Sequence, residues 1–337
     1  MTSEDSAGAM TGSSSAGSAE PPANQRFTYS TTRTRRHVRD DARSTTHARP
    51  DAHNKGRFVM PTFATPKPIN VTLATAGARV RLAASERSDT VVLVEPLNRT
   101  NKSDVKVAEG TKVDFSSGEL SIQTTKAGEK SGSVAISIEL PAGSRLVLNT
   151  AWTDVHADGL LGDCELSLSS GQIQLDRIGT LRGQLAGGDI AIGYVAGTAN
   201  VEGGTAGLQI GEIRGTVSYQ GSTGKIRIGH AGSDVDVSSA GGSFDVDRAD
   251  GNVVVKTANC PIRIGRMTRG QADLVNASGG IEVGISEGTA AWVDAKSTKG
   301  SVRNLLTAQD NSDAFENKVK VHARTRLDDI VIRRAVG

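Results

Sequence analysis

The 337-residue sequence predicts an all-β fold, a single elongated parallel β-solenoid with about 18 residues per coil, each coil made of two nine-residue strand-turn units. Three observations predict it. Apolar and polar residues alternate in short runs, which places every second side chain on one face of a strand. These runs recur at nearly constant spacing. Glycine is abundant, with 39 residues, while aromatic residues make up only 3% of the chain. That composition suits tight corners around a core too thin for large rings.

The beat is clearest in the second half. The pairs Ile173/Leu175, Ile190/Ile192, Leu208/Ile210, Ile226/Ile228, Phe244/Val246, Ile262/Ile264 and Ile281/Val283 start 17 to 19 residues apart. A second set, Ala199/Val201, Val217/Tyr219, Val235/Val237, Val253/Val255, Ala272/Leu274 and Ala291/Val293, follows each neighbour after nine or ten residues. One gap is irregular, at Leu181 to Leu185. Turns are marked by Gly187-Gly188, Gly203-Gly204, Gly221-Ser222, Gly241-Gly242 and Gly279-Gly280. A run of hairpins would also alternate on one face. It carries no requirement that every second strand resemble the others at fixed spacing, so the solenoid is the preferred reading.

Upstream the pattern loosens. Ile69/Val71/Leu73, Val80/Leu82, Val91/Leu93, Val105/Val107, Val113/Phe115, Leu120/Ile122 and Val134/Ile136/Ile138 read as strands, with Asn98 to Asp104 and Thr124 to Ser131 as longer loops. Downstream, Val302 starts a last regular rung, Asn304 to Asn317 is a polar loop, and Val319/Val321 and Ile330/Ile332 supply closing strands. Residues 69–332 thus read as one body of about 14 coils, a rod on the order of 70 Å at the spacing of parallel strands. Its open ends require caps.

Residues 1–59 stand apart from the 60–337 repeat domain. They hold nine Lys/Arg and six Asp/Glu with no apolar periodicity, which leaves the rest slightly acidic, 30 basic against 31 acidic residues. Too little apolar surface offsets the entropy of ordering them, so a disordered tail is expected. Three readings stay open: a solvated dispensable extension, a basic arm, or upstream sequence ahead of a natural start at Met60.

The net charge of +2 gives no concentrated basic surface for nucleic acid. The two cysteines exclude a disulfide scaffold and a Cys-rich zinc module. No apolar run approaches the ~20 residues of a membrane helix, and no secretory signal is recognised. A cytoplasmic setting is therefore expected. Cys164 and Cys260 lie 96 residues apart, about five coils, beyond the ~7 Å Cα separation a disulfide tolerates. Both are expected as reduced thiols.

No cofactor and no catalytic or metal-ligating set is predicted. Asp234/Asp236, Asp245/Asp247 and Asp250 flank inward valines and so face solvent, where Lys225, Arg227, Arg263, Arg266 and Arg269 stand ready to pair with them across coils. His156, His230 and His322 lack a nucleophile-elbow motif; His230 is close in sequence to Asp234. Phosphate-binding glycine motifs are absent from the sequence. Trp292 lies between inward Ala291 and Val293, so its ring faces outward. It is either covered by the Asn304–Asn317 loop or a contact point for a partner.

The opening Met60-Pro61-Thr62-Phe63 with Pro68-Ile69-Asn70-Val71 resembles a known pattern. So do the Gly-x-Ile-x-Ile rungs and the ending Ala323-Arg324-Thr325 with Asp329-Ile330-Val331-Ile332-Arg333-Arg334-Ala335. Together they resemble the bacterial β-strand-repeat "putative adhesin" family, common in actinobacteria, over about residues 60–337. The resemblance implies a start near Met60 and carries over no catalytic residues. Two functional expectations follow. One is a non-enzymatic scaffold, an adhesin-like binding or self-assembly module with a protein partner or a second copy as its ligand. The other is a carbohydrate-active enzyme on a β-solenoid, which would need an aromatic, carboxylate-lined groove; only eight aromatic residues follow residue 60.

Overall fold

A computed structural model of the chain describes residues 60–124, 132–307 and 315–335. The expected tail, 1–59, lies outside the described residues, as does most of the Thr124–Ser131 loop. The described chain winds between two sheets of 14 and 13 strands. In the regular region successive strands alternate between sheets: Ala199–Gly203, Gly207–Ile213, Val217–Gly221, Lys225–Ala231. Each pairs in parallel with its equivalent one coil on, for example Ile210 with Ile228 and Val217 with Val235. The solenoid and its 18-residue coil are therefore present as read. Thirteen strands at about 4.8 Å each span on the order of 60 Å.

The core is one continuous strip. Inward residues such as Ile192, Val201, Ile210, Val217, Ile228 and Val246 are at most 3% exposed. The Leu181–Leu185 irregularity is a regular rung with alternating buried and exposed residues, whose middle inward position is Gly183. The buried Tyr219 shows how a large ring fits a thin core. Its hydroxyl reaches into space left open by Gly203, Gly221 and Gly224, where an added Cβ would stand 2.4–2.5 Å from it.

Glycine here mostly serves close stacking rather than left-handed turns. In the column Gly193, Gly211, Gly229 a Cβ at Gly211 would meet the Gly193 carbonyl oxygen at 2.4 Å, and one at Gly229 the Gly211 oxygen at 2.4 Å. Gly242 is a true turn glycine, with φ +100°.

Three features depart from the expected single winding. The Val105/Val107 stretch is a helix, Lys102–Gly110, not a strand. Asn101 caps it, its side chain accepting from the Ser103 N–H at 2.9 Å. Asp104 ties its first turn down, accepting from the Asn98 and Ser133 backbone N–H groups at 2.9 and 2.8 Å. Second, the amino-terminal end contains antiparallel pairs, Thr62–Ala64 with Asp89–Pro96 and Lys112–Ser116 with Glu119–Gln123. Phe63 and Phe115 stack there with ring centroids 4.8 Å apart, closing the core between the two edge strands.

Third, the terminal coils are intercalated. Strands Asn70–Ala76 and Ala78–Ser85 lie between strands that come later in sequence, Glu119–Gln123 and Arg145–Ala151 in one sheet, Val134–Pro141 and Asp154–Leu160 in the other. At the far end Asn317–Thr325 lies between Gly270–Val275 and Thr289–Ser297. Ile330–Arg334 likewise lies between Ile281–Ile285 and Val302–Asn304. At the carboxy-terminal end both sheets thus finish in strands that precede the last two described strands, while at the amino-terminal end one sheet finishes in Thr62–Ala64 and the other in Lys112–Ser116.

Candidate functional site

The outer faces of the coils are polar, and in register they form ladders. Arg263 Nη1 contacts Asp245 Oδ1 at 2.5 Å and Asp247 Oδ1 at 3.2 Å, and Arg227 reaches Asp247 at 3.5 Å. These are the cross-coil pairs the spacing implied. Asp234 accepts instead from the Asn252 backbone N–H at 2.8 Å. Asp245 and Asp247 are thus engaged by arginines and Asp234 by backbone, an arrangement that steadies the surface. Gln174, Ala191, Gln209, Arg227 and Asp245 line a shallow trough across the 14-stranded sheet, formed where Ala191 and Gly207 interrupt longer side chains.

His230 does not pair with Asp234. Its Nε2 is 2.8 Å from Asp250 Oδ2, because the coil stack brings the following turn beneath it. Asp250 Oδ1 also accepts from Arg248 Nε at 2.9 Å and from the Thr268 hydroxyl at 2.7 Å. Burial opposes ionisation of this carboxyl, but the hydrogen bonds from Arg248, Thr268 and His230 outweigh it and hold its pKa at about 2. Arg269 closes the cluster with a 2.7 Å bond to the Asp250 carbonyl oxygen. His156 contacts Asp158 at 3.1 Å, and His322 contacts Asp273 at 3.0 Å. Among the described residues no serine or cysteine hydrogen-bonds to any of these histidines.

Cys164 and Cys260 are both buried and unlinked. Burial, reinforced by nearby Asp163, pushes the Cys164 thiol up to about 12, and burial also raises that of Cys260. They are core residues, not nucleophiles.

Both tryptophans of the chain are exposed. Trp292 stands on the outer face of Thr289–Ser297, the last strand of the 13-stranded sheet, and is 60% exposed. Residues 308–314 of the loop expected to cover it lie outside the described residues. Trp152, which the sequence reading passed over, is 75% exposed and has φ +49°. It occupies the corner position that Gly77 fills in the neighbouring coil with φ +67°, since Ala76 pairs with Ala151 and Arg79 with Asp154. A bulky residue in the left-handed region is unusual and costs about 1 kcal/mol or more. The signal in the sequence was slight: a Trp standing at a corner where other coils place Gly, Ser or Thr.

A two-sheet parallel solenoid with polar ladders, inert thiols and outward tryptophans is the structural class these observations define. The chain belongs to the Toastrack DUF4097 family, whose profile matches residues 69–332. It is also similar to several solved structures. A "putative adhesin" from Parabacteroides merdae is 10% identical, with 82% of this chain and 96% of that one covered and a TM-score of 0.31. A "putative adhesin" from Bacteroides fragilis is 9% identical, covering 82% and 98%, with a TM-score of 0.25. A "putative cell adhesion protein" from Clostridium sporogenes is 11% identical, covering 82% and 100%, with a TM-score of 0.18. No curated protein matches the chain.

Proposed function

We propose that the protein is a non-enzymatic, adhesin-like binding scaffold that presents partner contacts on a rigid stack of coils, Trp152 and Trp292 among them. The observation that carries this reading is Trp152. The chain holds a large apolar ring in solvent, in a backbone conformation that favours glycine. Folding gains nothing from that arrangement, whereas a contact surface does. A cytoplasmic setting belongs to the same proposal.

The carbohydrate-active enzyme finds little support. A glycoside-cleaving acid needs a raised pKa. The carboxyls of Asp89, Asp250, Asp294 and Asp329 are instead shifted down, each by hydrogen bonds to its neighbours.

The test compares the wild-type chain with Trp152→Gly in affinity capture from the native host. The variant is expected to lose a captured protein while matching the wild type in thermal stability or exceeding it by up to about 1 kcal/mol. Equal capture by both proteins, or capture of nothing by either, would count against Trp152 as a contact. A variant that melts well below the wild type would show that the ring serves folding.

A further inference from the structure

The two ends of the coil stack differ. At the amino-terminal end the sheets finish in strands of three and five residues, Thr62–Ala64 and Lys112–Ser116, each paired antiparallel to an inner neighbour. The Phe63–Phe115 stack closes the core there, and helix Lys102–Gly110 packs on strands Asp89–Pro96 and Val134–Pro141 with Val107 and Ala108 buried. Those are the devices by which sheets blunt their edges.

At the other end the 13-stranded sheet finishes in Thr289–Ser297, nine residues that among the described residues pair on one side only, to Asn317–Thr325. Its inward side chains Ala291, Val293 and Ala295 are only partly buried, whereas their neighbours Val319, Val321 and Ala323 are at most 1% exposed. Trp292, Val302 and Leu305, at the same end, are 60%, 42% and 63% exposed. A long strand with an apolar inner row and an edge unpaired among the described residues is a template for another strand.

We infer that this end is a homodimer interface, in which Thr289–Ser297 pairs antiparallel with the same strand of a second copy about a two-fold axis normal to the sheet. The inference rests on the reading of Trp292 as a contact residue and names its partner. The strand's own sequence fits this occupant. With Ala295 opposite its own copy, residues 293–297 of the two strands overlap: Asp294 of each chain faces Lys296 of the other on the outer face, Val293 faces Ser297 and Ala295 faces Ala295 on the inner face, and Trp292 lies at the margin of the overlap. Opposite charges directly across an antiparallel pair stabilise it. Asp294 is already fixed in place by Arg324 at 2.6 Å, while Lys296 is exposed. The contact is isologous, so it consumes the one open end and closes. The product is a dimer of two stacks joined at their carboxy-terminal ends, not a filament, because the other end is capped.

Sedimentation equilibrium on the full chain tests this, with Lys296→Glu and Ala295→Lys at the edge and Lys112→Glu at the capped end as a control. The wild type and the control are expected to be dimers. Lys296→Glu, which turns two attractive cross-strand pairs repulsive, is expected to weaken the dimer roughly tenfold. Ala295→Lys, an inward-pointing charge on the edge, is expected to leave a monomer with an unchanged far-ultraviolet circular dichroism spectrum. A monomeric wild type would overturn the inference. So would an open-ended polymer, or a dimer indifferent to both edge variants. Capture through Trp152 is untouched by any of these outcomes, so failure here is distinct from failure of the binding role.

Discussion

Tyr219 and Asp250 show how single side chains are accommodated in a fold with little room. The Tyr219 ring is fully buried and its hydroxyl has no hydrogen-bond partner. Desolvation raises its pKa accordingly. A buried hydroxyl without a partner costs about 1–3 kcal/mol. Tyr219→Phe should therefore leave the urea midpoint unchanged or raise it, and a clear fall would mean that the hydroxyl has a partner in solution. Asp250 works in the opposite sense. Its carboxyl is held at about 2, below the ~3.9 of an unfolded chain. Its contribution is full above about pH 4 and is lost as the pH falls through 2, because the unfolded chain takes up the proton first. At neutral pH that amounts to on the order of 2 kcal/mol. Asp250→Asn should lower stability by about that amount at pH 7 and by little at pH 2 in chemical denaturation. A loss of equal size at both values would place the effect in packing.

At the scale of the element, the intercalated coils make a specific prediction. Strands Asn317–Thr325 and Ile330–Arg334 lie inside the stack, between coils that precede them in sequence. Truncation after residue 307 would therefore remove an internal layer and leave Thr289–Ser297 and Val302–Asn304 without their neighbours. Limited proteolysis of such a protein is expected to cut within 286–307 first, while the coils before Gly270 resist. Uniform resistance would mean that the outer coil re-docks directly onto Gly270–Val275.

Intercalation also marks the limit of what was legible. The regular coils from Ile173 to Val283 were readable because their period and their inward phase are properties of the local sequence, repeated at each turn. Even the Gly183 rung kept the phase. Which strand neighbours Asn70–Ala76 is a tertiary choice, and no spacing encodes it. The helix was missed because Val105 and Val107, two apart, fit an alternating strand, while its real signals were the Asn101 cap and Asp104, tied to distant Ser133. The Asp245/Asp247 ladder with Arg227 and Arg263 was legible from outward phase and spacing. The sequence shows Asp234 close to His230, but the partner that the stack brings to it, Asp250, lies 20 residues away. Trp152 escaped attention because its interest lies in a backbone angle.

At the scale of the molecule, the regular coils depend on parallel stacking in which each strand residue lies over another about 18 positions away. The glycine column exists because the carbonyls of one coil approach the next too closely for a Cβ. The charge ladders exist because the register is constant, and the open edge exists because a stack must end. A pulsed electron-electron distance measurement tests that stacking most directly. Nitroxide labels at Ser167→Cys and Lys256→Cys, with Cys164 and Cys260 replaced by serine and the labelled chain diluted in unlabelled protein so that only distances within one chain are read, occupy exposed positions on one face. The register links them through Gln184, Glu202, Gln220 and Ser238. The account predicts a backbone separation of about 24 Å, five steps of ~4.8 Å, in a single narrow distribution. A separation near 10 Å, one beyond about 40 Å, or a broad distribution would contradict parallel stacking in this register.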